Sequence, residues 1–135
     1  MKKSSFRKTL LLIILLVAFL SVNSLVFPQE TKPFLGTWKG ALNLMGQELE
    51  IIVKLSLGEK KEIQGTIDVP QQGAVDLNLA SFTIEGKKIS FMIDHPGVQG
   101  EPTFKGELDE SGGKITGSFT QGGGEGTFNL EKEKK

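Results

Sequence analysis

The chain has 135 residues, enough for one domain, with 16 Lys and Arg against 16 Asp and Glu and a formal net charge of zero. It holds no cysteine, which excludes disulfides, thiol chemistry, Cys-based metal sites and a cysteine-linked lipid anchor. Four of the cations precede Glu30, so the remaining 12 face all 16 acids and the body carries −4; with no basic stripe to follow a phosphate backbone, nucleic acid is not an expected partner.

Lys2, Lys3, Arg7 and Lys8 lead into an unbroken apolar run from Leu10 to Leu20. A positive segment followed by a short apolar one is the order of a secretory signal. Val22, Asn23 and Ser24 place small or tolerable residues before a cut between Ser24 and Leu25, giving a signal over residues 1–24. The alternative is an uncleaved membrane anchor: extended through Phe27 the run approaches spanning length, although Ser21, Asn23 and Ser24 interrupt it. The protein is therefore expected to be exported, periplasmic or extracellular, touching a membrane only through this segment if it is retained.

Residues 25–33 read as a linker, because Pro28 and Pro33 stop helix from propagating. The domain is expected over residues 34–131. Trp38, Leu42 and Leu44 share one parity and make the first strand, and Met45-Gly46 suits a tight hairpin turn. From Gln47 to Leu57 the alternation is clearest: Leu49, Ile51, Val53, Leu55 and Leu57 fall on one face, Glu48, Glu50, Lys54 and Ser56 on the other. That is a strand with one dry side and one wet side.

Gly58 to Lys61 turns the chain, and Glu62 to Val69 resumes alternation with Ile63, Ile67 and Val69 inward. After a break at Pro70 to Ala74, the inward residues are odd (Val75, Leu77, Leu79) and then even (Phe82, Ile84). A change of phase at Ala80-Ser81 is the trace of a β-bulge or of a short break between two strands. Ile89, Phe91 and Ile93 mark the next strand, and His95 to Gly100 is the longest irregular connection. Strands carrying Phe104 and Leu108, then Ile115 and Phe119, follow. Gly122 to Gly126 reads as a flexible loop, Phe128 and Leu130 lie on the last strand, and residues 132–135 read as a charged, solvated tail.

About eight short strands with turn chemistry between them predict an all-β antiparallel meander, which escapes exposed edges by curling into an up-and-down barrel. Five Gly-polar-apolar triplets, beginning at Gly36, Gly65, Gly106, Gly117 and Gly126, point to bends or close backbone approach.

Catalytic equipment is thin. His95, the one histidine, precedes Pro96 in a loop and reads as a turn residue; no nucleophile elbow accompanies it. Asp94, His95 and Glu101 match no metal-ligand spacing, and Asp109 to Gly113 lacks the alternating oxygens of a calcium loop, so neither metal nor cofactor is expected. Trp38, Phe82, Phe91, Phe104, Phe119 and Phe128 all fall on inward positions and could line an apolar pocket. Six rings would equally well fill an eight-stranded barrel, whose interior only just holds its side chains, and size favours that packed core.

The most specific stretch is Asp68 to Ala74, with a polar echo from Thr120 to Gly123. Asp68, Pro70, Gln72, Gly73, Gln121 and Gly122 form the candidate ligand or partner loop. With Gly36, Trp38, Gly40, Leu42, Gly65, Thr66, Ala74, Thr120 and Gly123, these residues carry a resemblance to the β-domain that precedes the catalytic domain in some secreted bacterial α/β-hydrolases of the serine-aminopeptidase-like type. It spans Leu35 to Leu130 and departs at Val69 and Gln71, where that family more often has Ser and Asp. Nothing within these 135 residues matches the hydrolase domain, so the resemblance carries over no catalytic residue. At the level of fold, the Gly36-Thr37-Trp38 opening is similar to lipocalin and avidin barrels.

The expectation is an exported, non-enzymatic binding or interaction module whose partner is a small apolar molecule or an envelope protein. The alternatives are an accessory domain docking to a separately encoded hydrolase, as the resemblance implies, and an envelope protein without a ligand.

Overall fold

The structure, a computed structural model, describes residues 30–134; the export signal expected at 1–24 lies outside the described residues. Eight strands follow in chain order: β1 (Gly36–Leu44), β2 (Gln47–Leu57), β3 (Ile63–Val69), β4 (Ala74–Glu85), β5 (Lys88–Ile93), β6 (Thr103–Leu108), β7 (Lys114–Gln121) and β8 (Gly124–Lys132). Each pairs antiparallel with the next and β8 returns to β1, from Trp38 opposite Lys132 to Leu44 opposite Gly126, closing an up-and-down barrel. Among the described residues, closure leaves no strand edge without a partner.

Alternation builds the wall. On β2, Ile51, Val53 and Leu55 are buried while Glu48, Glu50, Lys54 and Ser56 are exposed. Leu57, expected on the dry face, is 40% exposed, because pairing with β1 ends at Leu55 opposite Gly36 and the last residues of β2 run past the barrel's end.

Large side chains fit inside because glycines face them. Gly117 lies opposite Phe128, Gly40 opposite Leu130, and Gly126 opposite Phe119. A Cβ on Gly40 or Gly117 would strike the backbone carbonyl of Asn129 or Lys105. These residues draw strands together where a side chain has no room.

Two bulges bend β4. The register shifts between Ala80 and Thr83, with Ser81 at φ 56°, so Leu79 and Phe82 both face inward, as the change of phase predicts. A second shift lies where β3 meets β4, between Ile67 and Val69, with Asp76 at φ 54°. It turns Val75, expected inward, out to 65% exposure.

Three boundaries differ from the sequence reading. The turn after β7 is Gly122-Gly123 alone, with φ 54° and 86°, and Gly124 and Gly126 belong to β8 rather than to a loop. The expected linker ends in a 3₁₀ turn, Lys32–Phe34, whose Phe34 is fully buried. The tail expected from residue 132 begins inside the last strand: Lys132 pairs with Trp38 and lays its ammonium 5.5 Å from the Trp38 ring, and the Glu133 N–H donates to the Thr37 carbonyl. The long Lys132 stem covers apolar surface while its head stays at the barrel's edge.

One end of the barrel is thereby sealed. Phe34 lies under it, and the Trp38 indole N–H donates to the Phe34 carbonyl at 2.9 Å. The rings continue upward as a connected row. Phe104 is its hub, with centroids 5.1 Å from Phe91, 5.1 Å from Phe128 and 4.8 Å from Phe119.

Candidate functional site at the open end of the barrel

The opposite end is framed by four hairpins: β1–β2, β3–β4, β5–β6 and β7–β8. Side-chain and backbone bonds tie them to one another. Gln71, in the 3₁₀ turn Pro70–Gln72, accepts a hydrogen bond from the Glu50 N–H and donates to the Glu48 carbonyl, fastening the β3–β4 hairpin to β2. The loop after β5 is fastened to the β7–β8 turn: the Gln121 side-chain amide donates to the Gln99 carbonyl at 2.9 Å, and the Gly122 N–H to the Gly100 carbonyl at 2.9 Å. His95 shapes that loop by accepting the Gly97 N–H at Nδ1, 3.0 Å away.

Between these hairpins a cavity of about 490 Å³ enters the barrel. Leu42, Ile67, Phe104 and Phe119 form its floor, and Leu44, Leu49, Leu77, Ile93, Val98 and Pro102 are among its walls. Gln72, His95 and Gln121 supply its polar side chains; among the described residues no Asp, Glu, Lys or Arg lines it. Such an arrangement can desolvate an apolar body and offer a few hydrogen bonds at the opening.

The candidate loop residues divide. Gln72, Gly73 and Gln121 line the cavity. Asp68 does not: one carboxylate oxygen accepts the Asp76 N–H at 2.7 Å and the other lies 3.9 Å from the Lys54 ammonium, an arrangement that holds the second bulge. Pro70 is exposed at the start of its 3₁₀ turn, and Gly122 serves the turn after β7.

The six candidate rings divide too. Phe104 and Phe119 face the cavity from below. Trp38, Phe91 and Phe128 are buried beneath it, no more than 2% exposed. Phe82, past the first bulge, is half-buried, 5.7 Å from Phe91, beside a surface groove shared with Ile63 and Ile84.

Leu42, Leu49, Ile67 and Val98 also line the cavity, although none is among the expected site residues. The first three were legible as inward-facing, but not as lying near the open end. His95, read as a turn residue, is one and also lines the cavity. Among the described residues no group of three or more His, Asp and Glu could hold a metal ion.

A second depression, about 590 Å³, lies on the outer face over Gly106 and Gly117. It is more open than the mouth, and Glu85, Lys88, Lys105 and Glu107 border it. Long charged side chains on an open wall give no fixed geometry for a ligand, so the enclosed mouth is the better site.

Comparison with protein-family models, with curated proteins and with solved structures finds no match, and the functional reading rests on this geometry.

Proposed function

We propose that the protein is an exported, non-catalytic binding module that holds a small apolar molecule in the mouth of its barrel. The observation that carries this reading is the difference between the two ends: Phe34 and Trp38 fill one, while the other opens into about 490 Å³ walled by aliphatic and aromatic side chains. That volume is within the usual range of small-molecule sites. Cross-bonded hairpins support it further, since a pre-formed rim lowers the ordering cost of binding. The N-terminal run of cations followed by apolar residues supports export.

Titration with the neutral fluorophore N-phenyl-1-naphthylamine tests the proposal. The expected result is a saturable rise in emission at one site per chain, abolished by Val98→Trp, which fills the mouth from a loop position. Absence of binding, or binding undiminished in a folded Val98→Trp protein, would overturn it.

A further inference from the structure

The charges around the mouth are of one sign. The Lys residues of the described barrel are numbers 32, 39, 54, 60, 61, 87, 88, 105, 114, 132 and 134, so the runs 40–53, 62–86, 89–104 and 115–131 contain no Lys or Arg. Those runs hold the four hairpins of the open end. Each hairpin carries carboxylates instead: Glu48 on the first, Asp76 on the second, Asp94 and Glu101 on the third and Glu125 on the fourth, all exposed. Among the described residues none of these five is in an ion pair. Among the described residues, an uncharged, apolar cavity thus opens through a rim whose unpaired charges are all negative, the Lys54 ammonium beside the second hairpin being matched by Asp68.

We infer that the mouth selects a single-chain amphiphile with a cationic head. The inference rests on the proposed binding function and adds the ligand's chemistry. The alkyl chain enters toward Phe104 and Phe119, and the positive group stays at the rim. There it keeps its water while the surrounding carboxylates attract it through high-dielectric solvent. An anionic head on the same chain meets repulsion from every side. An extended peptide fits less well, because a closed barrel offers no free edge for strand addition and the cavity is walled all round.

The test gives the full chain three probes with one tail, dodecylammonium, dodecanol and dodecanoate, each displacing the neutral naphthylamine. The expected order is cation, alcohol, anion. Screened attraction from five rim carboxylates makes the first about tenfold tighter than the last at low salt, and the gap should nearly vanish at ~1 M salt, where the screening length is about 3 Å. The combined variant Glu48→Gln, Asp94→Asn, Glu101→Gln should narrow the gap and leave dodecanol unchanged. Equal displacement by all three would overturn the charge selection and leave the binding function standing. Displacement by none while the naphthylamine stays bound would overturn the single-chain amphiphile and leave the binding function standing, whereas no binding of the naphthylamine itself would overturn both. A short Lys-rich peptide with one Leu that binds more tightly than dodecylammonium would overturn the choice of a small amphiphile.

Discussion

The Trp38 indole donates its N–H to the carbonyl of Phe34, four residues earlier, and both side chains are fully buried. The bond fixes the 3₁₀ turn as the plug of the closed end and satisfies a carbonyl that water cannot reach. Trp38→Phe keeps most of the apolar volume but orphans that carbonyl, and is expected to cost about 1–3 kcal/mol. Trp38→Ala also leaves a cavity and should cost about 3–5 kcal/mol. Urea denaturation of both variants checks the order; equal losses would mean that the ring's packing contributes nothing beyond the hydrogen bond that both variants lack.

Gly117 and Gly40 make a sharper prediction. A methyl group on either would run into backbone, the Lys105 or the Asn129 carbonyl, and backbone in a closed barrel cannot move aside without disturbing the ladder. Gly117→Ala and Gly40→Ala are each expected to destabilise by about 3 kcal/mol, the upper end for overpacking. Gly113→Ala, where the nearest atom is the Ser111 hydroxyl at 3.4 Å, should change the melting temperature little.

These glycines also explain what was legible in the sequence. The strand β2 could be read because one face is dry and the other wet, and the bulge at Ser81 because it reverses a phase established on both sides. The bulge at Asp76 could not, since the Pro70–Gln72 turn precedes it and leaves no phase to compare. Gly122 to Gly126 misleads for a related reason: the first two glycines supply positive φ for a turn, whereas Gly126 is required by the close Asn43 carbonyl. Both uses look alike in one sequence. Parity likewise says that Leu42, Ile67 and Phe91 point inward but not how far each lies from the mouth. That height is fixed by strand stagger, a property of the whole set of pairings.

Asp68, first among the candidate loop residues, behaves in this structure as a brace. Its carboxylate accepts the N–H of Asp76, which is held at positive φ, a backbone conformation that costs free energy in a residue other than glycine. Asp68→Ala should therefore cost about 1–2 kcal/mol, and Asp68→Asn, which retains a carbonyl acceptor, less. The Lys54 pair is long and its ammonium exposed, so Lys54→Ala is expected to change stability by less than about 1 kcal/mol. Chemical denaturation of the three variants gives the comparison. A loss from Lys54→Ala as large as that from Asp68→Ala would instead make the ion pair the main contribution.

Asp109 gives the hairpin between β6 and β7 an acid-sensitive latch. The Ser111 hydroxyl donates to its carboxylate at 2.9 Å, and the N–H groups of Gly113 and Lys114 donate at 3.2 Å. The Ser111 bond is the largest influence; partial desolvation opposes it, the backbone donors reinforce it, and the net result holds the carboxyl below its ordinary value. A group whose folded pKa is depressed stabilises the native state above its unfolded pKa and loses that contribution as pH falls through the folded value. The wild-type chain is thus expected to lose stability through the acid side of the carboxylate range, and Asp109→Asn to lose less over the same window while being the weaker protein at neutral pH. Ser111→Ala removes the leading donor and should move the acid limb toward the ordinary carboxylate value. Urea midpoints measured from neutral to acid pH test this: parallel curves for wild type and Asp109→Asn would mean that the latch does not titrate with folding.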